Sequence, residues 1–409
     1  MICFWHLCQF ELFVLQEGTI TGVDKKGCFV RCLLIGDTGS IFVTPFLERI
    51  ATYYYNSIFD VISYRENRID LGKNVSCKAI PMRNSLLNKI PKVRSIWALI
   101  QKQRYIAKAK PYDICHVHFI DKHSALLSRV LNRKCKNIVS SVWGSDFYRS
   151  SGSIRRVQER LYKISSVITF TNEKSMMEFN EYYGRRYSRK LRICRFGLAP
   201  LEVLRSLELN KKECRKSLGL PESSLIVTIG YNNSPAQQHI KILNSIEKLK
   251  REIPKNVFLV LPMTYGATDD YRNTVRKHLE QHSFGYKIFD KFMPDREMAM
   301  LRKASDLMIQ VQTTDQFSGS MQEHLYTENV VITGDWLPYG TLDEKGIFML
   351  KVSSVDEVGE KLVYAINNLD SLKDKCKDNP EIIWELSSWE KNIQSWIDIY
   401  EELLQRGRQ

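Results

Sequence analysis

Two acids stand eight residues apart in Thr314-Asp315-Gln316-Phe317-Ser318-Gly319-Ser320-Met321-Gln322-Glu323-His324-Leu325. The apolar run 307–311 just before them reads as a buried strand, and the small polar residues then open a helix near 319–327. Amides at such a helix start, here those of Ser318, Gly319 and Ser320, can cradle a diphosphate with help from the helix dipole. Glu323 falls about one turn inside, where a carboxylate can accept two ribose hydroxyls, while Asp315 stays in the loop near the phosphates. The plain alternative is an ordinary strand-to-helix turn capped by Ser318.

A second candidate is Asp113-Ile114-Cys115-His116-Val117-His118-Phe119. Strand residues alternate faces, so His116 and His118 point the same way, with His118 nearer the carboxyl end, where ligands sit. Either can equally be a hydrogen-bonded core histidine. A His-x-His metal site needs further ligands, and the sequence offers none at zinc spacing. In Trp143-Gly144-Ser145-Asp146 the glycine permits close approach, and Asp146 can take acceptor hydroxyls or cap the next helix. Gly36-Asp37-Thr38-Gly39-Ser40 follows another strand and can bring backbone to a ligand or simply turn. Tyr231-Asn232-Asn233-Ser234 with His239 forms a polar turn at a helix start, with no basic side chain between Tyr231 and His239.

Short apolar runs alternate with helical patterns along the whole chain, the mark of parallel βαβ units. Strands are expected at 33–35, 59–64, 114–119, 138–142, 166–170 and 191–195. Residues 196–207 lack a clear period and carry Gly197 and Pro200, and the alternation restarts at 225–230. The expectation is α/β with two doubly wound units: 31–205 and 206–384, preceded by an extension at 1–30 and followed by a helix at 385–409 that packs back on the first unit. Carboxyl ends of two such sheets facing one cleft suit a nucleotide-linked substrate on one wall and a second reactant on the other.

The formal charge of +14 is unevenly spread. Residues 83–215 hold 29 Lys and Arg against 10 Asp and Glu, whereas residues 1–82 balance and residues 216–409 are acidic. This asymmetry points to an anionic partner for the first half. Within it, Lys92–Lys110 places Val93, Ile96, Trp97 and Ile100 at helical spacing with Lys and Arg mostly opposite. That suits an amphipathic helix on an anionic bilayer, or a surface helix with its core face inward. No run of 18 apolar residues reads as a membrane span. Ten cysteines without a CxxC pair read as a reduced cytosolic protein.

From about Leu33 the chain resembles glycosyltransferases of the GT-B type. Asp315-x7-Glu323 is similar to the acid-x7-Glu motif of retaining members, with Asp in place of the usual first Glu. Val142-Trp143-Gly144-Ser145-Asp146-Phe147-Tyr148, Gln238-His239-Ile240 and Leu261-Pro262-Met263-Thr264-Tyr265-Gly266 resemble bacterial TDP-4-acetamido-4,6-dideoxygalactose (TDP-Fuc4NAc) transferases acting on a lipid-linked acceptor. The resemblance implies a GT-B fold, two Rossmann-like parallel-sheet domains facing a central cleft, and retaining transfer with neither cofactor nor metal. It implies His118 and Asp315 as catalytic residues. Gly39, Asn233, His239, Tyr265, Ser318, Gly319, Ser320 and Glu323 would bind a nucleotide-sugar donor, and Trp143 and Asp146 a lipid-linked glycan acceptor. The implied setting is bacterial surface polysaccharide synthesis at the inner, anionic face of the plasma membrane. An epimerase or an inactive sugar-binding member of the same fold is the alternative. A nucleic-acid partner is not expected, because no recognition helix, RRM or zinc finger accompanies the basic half.

Overall fold

Strongly apolar stretches, rich in Val, Ile and Leu, build two all-parallel sheets. The computed structural model describes residues 29–40, 42–63, 73–79, 91–266, 268–315 and 317–406. In the first sheet β1 (Arg31–Ile35), β2 (Ile58–Ser63), β3 (Val75–Ala79), β4 (Tyr112–His118), β5 (Cys135–Ser141), β6 (Val167–Phe170) and β7 (Leu191–Ile193) run in the order β3-β2-β1-β4-β5-β6-β7. In the second, β8 (Leu225–Ile229), β9 (Val257–Pro262), β10 (Gly285–Phe289), β11 (Leu307–Gln310), β12 (Val330–Gly334) and β13 (Leu350–Val352) run β10-β9-β8-β11-β12-β13. Helices cover both faces of such sheets, so the central strands are buried on both sides and read as continuous apolar runs. The strand order reverses between β1 and β4 and again between β8 and β11, and crevices at these switch points are where open α/β sheets take ligands.

Some elements differ from expectation. The edge strands β3 and β13 were not expected: Val-Ser-Cys-Lys-Ala alternates over only five residues, and Leu-Lys-Val has three. The stretch that lacked a period contains the helix Ala199–Ser206. One helix expected at 124–131 is two, Lys122–Leu126 and Ser128–Lys134, the first closed by a capping box between Asp121 and Ser124. The expected extension lies outside the described residues except for Phe29 and Val30. Val30 is fully buried, donates its N–H to Ser57 Oγ (2.9 Å) and accepts from the Ile58 amide (3.0 Å), so it is part of the first sheet's surroundings.

The Trp389–Arg406 helix packs on the first sheet. Trp389 and Trp396 are fully buried there beside Phe46, and Trp396 Nε1 donates to the Arg195 carbonyl (2.9 Å). Each ring removes roughly 150–250 Å² from water, on the order of 4–6 kcal/mol of gross hydrophobic stabilisation. Gly197 is required here, because a Cβ would lie 2.5 Å from the Trp389 backbone.

Candidate functional site

On the first unit, the carboxyl ends of β1 and β4 meet at a glycine. A Cβ on Gly36 would come within 3.3 Å of His118 Cβ, so the bare backbone lets the two strand ends close up. The following loop is tied down by Thr38, whose N–H and hydroxyl both meet Ser63 Oγ, at 3.1 and 2.9 Å. Gly39 is the exposed tip, and its amide donates to Asp37 Oδ1 (2.9 Å). That amide is therefore already engaged within the loop.

His116 and His118 do share a face, and their rings stack at 3.9 Å and 24°. Their chemistry differs. His116 lies 2.7 Å from Ser141 Oγ and 3.0 Å from Tyr400 OH, so it is a satisfied core histidine. His118 is equally buried, but neither of its ring nitrogens has a partner among the described residues. Phe46, Trp143 and Phe196 surround it, with ring centroids at 5.1, 6.3 and 5.6 Å. Burial pushes its pKa down to about 3, so it is a neutral imidazole able to donate once and accept once. Trp143 Nε1, a third unpartnered polar atom, belongs to the same cluster. Buried donors and acceptors left unsatisfied are uncommon and call for an explanation.

Asp146 does not face outward as an acceptor-binding residue would. It is 4% exposed, with Oδ1 accepting the Trp143 amide (2.9 Å) and Oδ2 the Ile120 amide (2.8 Å). Burial pushes its carboxyl up to about 7, against the pull of those amides. Its part is to tie two loops together. Gly144, at φ +90°, makes the turn that brings this about.

On the second unit the loop after β8 and the loop after β9 zip together. Asn233 donates its amide to the Tyr265 carbonyl (2.6 Å) and bridges to Gly266, whose φ of +125° and contact with Asn233 leave no room for a side chain. Asn233 is fully buried, while the Tyr265 ring is exposed. His239 is buried, with Nδ1 3.1 Å from Tyr271 OH and Nε2 unpartnered, and burial pushes it down to about 4. Gly230, at φ +62°, lies against Nε2: a Cβ there would stand 3.1 Å away.

Beside them the expected helix forms as Gly319–Tyr326, with Ser318 Oγ accepting the Met321 amide (3.2 Å). The cap is therefore real. Ser320 Oγ, one residue into the helix, has no partner among the described residues. Asp315 accepts a hydrogen bond from Tyr339 OH, and burial together with the Asp315 charge pushes the tyrosine pKa up. Glu323 is buried, with Oε2 accepting from Arg302 Nε (2.9 Å), and Oε1 lies 3.9 Å from where a Cβ of Gly319 would be. Burial raises the Glu323 carboxyl while Arg302 pulls it down. Asp315, Glu323 and Arg302 all act electrostatically on Tyr265, so these parts form one neighbourhood.

The two units touch around this helix. The Arg195 guanidinium lies over the Phe317 ring at 5.8 Å while its Nε donates to the Thr171 carbonyl (3.1 Å). A Cβ on Gly319 would meet Leu198 at 3.2 Å. Phe42, from the loop after β1, packs both on Trp143 and on the second unit's core. Sequence reasoning missed Arg302, Tyr339 and Arg195. Arg302 sits in Leu-Arg-Lys-Ala near a helix end and reads as a solvated basic residue, and only the tertiary pairing distinguishes it. Among the described residues no group of three His, Cys, Asp or Glu side chains is arranged to hold a metal ion.

Residues 31–172, which span β1 to β6, match the family described as glycosyl transferase 4-like. Among solved structures, a glycosyltransferase from Rickettsia africae superposes with a TM-score of 0.69 at 15% identity, covering 92% of this chain and 98% of that one. Anabaena HepE in complex with UDP and glucose gives 0.67 at 14% identity, over 91% of this chain and 100% of that one. Sucrose-phosphate synthase from Thermosynechococcus elongatus gives 0.68 at 13% identity, over 92% and 100%. A search of curated protein sequences finds no match. The fold is that of the GT-B glycosyltransferases. With the family match over the first unit, it supports an enzyme of the glycosyltransferase class.

Proposed function

We propose that this protein transfers a sugar from a nucleoside-diphosphate donor to a lipid-linked glycan acceptor with retention of anomeric configuration. The observation that carries the reading is the start of the Gly319–Tyr326 helix, where Glu323 is fixed by Arg302 and Asp315 by Tyr339. Amides at this helix start take the diphosphate, Glu323 Oε1 accepts the ribose hydroxyls, and Asp315 lies by the phosphates. Arg195, reaching Phe317 from the first unit, supplies the positive charge that the loop after β8 lacks. His118 and Trp143 offer their unpartnered nitrogens to sugar hydroxyls. Catalysis then consists of holding donor and acceptor hydroxyl in one geometry and stabilising the departing diphosphate. Anabaena HepE, a structural neighbour, was crystallised with UDP and glucose and with UDP-glucose, which favours a UDP-sugar donor, whereas the sequence resemblance implies TDP-Fuc4NAc.

The same reading seats the first unit on the inner, anionic face of a membrane. The Pro91–Lys108 helix exposes Ile96 (60%) among exposed Arg94, Arg104 and Lys108. The neighbouring Ser128–Lys134 helix adds exposed Arg129 and Arg133. Lys102 is no part of this surface: it lies 2% exposed on the inward face with Ala98 and Ile106, where burial lowers its pKa to about 8. No helix of the described residues is long and apolar enough to cross a membrane.

The decisive experiment is incubation with a panel of UDP- and TDP-sugars and polyprenyl-diphosphate-sugar acceptors, with the product anomer read by NMR. Transfer with a retained anomeric bond is expected. Failure of every nucleoside diphosphate to bind would overturn the reading.

A further inference from the structure

We infer that Phe119 is a stacking platform for a pyranose ring of the acceptor, held at the carboxyl edge of the first sheet by a clamp of Asp146 and Gln158. The inference rests on the glycosyltransferase reading above and adds to it a sugar-binding residue. Phe119 directly follows His118 at the switch point between β1 and β4. Its backbone is left-handed, with φ +63°. Glycine or asparagine adopts that conformation readily, whereas a bulky side chain there is a real outlier. The ring is only partly packed in exchange: it is 44% exposed and belongs to none of the four apolar clusters of the described residues.

What keeps the residue in this conformation is its neighbour. Ile120 is fully buried, donates its N–H to Asp146 Oδ2 (2.8 Å) and accepts at its carbonyl from Gln158 Nε2 (2.5 Å). Gln158, itself fully buried, also donates to the Asp146 carbonyl (2.8 Å). On the other side the Phe119 amide donates to the Ser141 carbonyl (3.2 Å). Strained residues persist where their surroundings over-determine them, and they cluster at binding sites. The other oxygen of Asp146 holds the Trp143 amide, so one carboxylate fixes Phe119 relative to the His118–Trp143 cluster.

The ligand class follows from size and surroundings. A lipid chain needs a contiguous apolar patch, but Phe119 is a single ring followed closely by Asp121 and Lys122. One flat aromatic face matches the C–H face of one sugar ring, whose hydroxyl edge is left for polar neighbours.

Saturation-transfer NMR tests this with methyl pyranosides of glucose, galactose, N-acetylglucosamine and N-acetylgalactosamine. Wild-type protein is expected to transfer saturation to the ring protons of at least one of them. Phe119→Asn, which suits the left-handed backbone, is expected to cut that signal about fivefold or more while melting at the same temperature or higher. Phe119→Tyr is expected to keep it. Equal signals in wild type and Phe119→Asn, or no signal from any of the four sugars with wild type, would overturn the platform. So would a lower melting temperature of Phe119→Asn, which would make the ring a packing element. UDP binding, measured by calorimetry, should be equal in all three proteins. Its absence in wild type strikes the glycosyltransferase reading and leaves the sugar signals to decide the platform.

Discussion

Arg302 Nε and Glu323 Oε2 stand 2.9 Å apart with both residues buried, joining the Asp295–Ala304 helix to the helix that begins at Gly319. The pair is embedded: Arg302 Nη1 lies 3.3 Å from His324 Nε2, and Asn329 Nδ2 lies 2.9 Å from His324 Nδ1. A carboxylate placed this way has one oxygen committed and one directed by the geometry of its partner.

Removing the cation should therefore cost more than neutralising the acid. Arg302→Met leaves Glu323 buried without its counter-charge and should lose about 3–5 kcal/mol in urea unfolding. Arg302→Met combined with Glu323→Gln should recover part of that loss, so the two effects will not add.

Glu323→Gln keeps the side chain's shape and one acceptor for Arg302. It should weaken UDP or TDP-sugar binding by about tenfold, the effect of one lost charge-assisted hydrogen-bond acceptor. Unchanged donor affinity by calorimetry would remove Glu323 from the donor site.

Tyr339→Phe deletes the hydroxyl that donates to Asp315. A stability loss of only about 1 kcal/mol is expected, with a clear rise in donor KM. Were the loss confined to stability, Asp315 would be a structural acid and no more.

Acid should destabilise the fold early. His116, His118, His239 and His324 are all held below their usual pKa by burial, to about 3 for His118 and about 4 for His239. Below pH ~6.5 the unfolded chain protonates them and the folded one does not, so stability falls as pH falls. Asp146 and Glu323 have raised pKa values and work the other way, adding stability that is lost as pH rises through their folded pKa, about 7 for Asp146. Each such ring contributes up to about 1.4 kcal/mol per pH unit, partly offset by the carboxyl groups that burial raises, Asp146, Glu323, Glu48 and Asp295. Urea midpoints should drop from pH 7 to 6 to 5, and a rise on acidification would show that these rings are not buried in solution.

Vesicle sedimentation checks the membrane face. Replacing Arg94, Arg104, Lys108 and Arg129 with Gln should weaken binding to anionic vesicles, at about 1 kcal/mol for each charge near the surface, and leave binding to neutral vesicles weak throughout. High salt should release the wild type. Lys102 is left in place because it is buried.

The two-sheet architecture was legible because parallel strands buried on both faces are largely apolar, as β8 and β9 are and as the centres of β1 and β4 are. The edge strands were not, since β3 and β13 are short and half polar. Asp315, Ser318 and Glu323 could be picked out because a strand, a small-residue loop and a helix follow one another locally. Arg302 and Tyr339 could not, because their partners lie 21 and 24 residues away in the chain. His116 and His118 look alike in sequence, and only their partners among the described residues, Tyr400 and Ser141 for one and none for the other, separate them. Phe119 gave no sequence signal, as its distinction is a backbone angle.

The Trp389–Arg406 helix has a consequence for how the chain is made. The core around Phe46 and Ile114 contains Trp389, Trp396 and Tyr400, residues translated some two hundred positions after β7. At roughly 5–20 residues per second the ribosome delivers them some tens of seconds after the first sheet has emerged. During that interval the first unit has its strands but lacks a wall, and its apolar surface stands open while the second unit is still being synthesised. Folding of the amino-terminal half is thus tied to synthesis of the Trp389–Arg406 helix, and a message truncated just before codon 389 leaves the first unit without that wall.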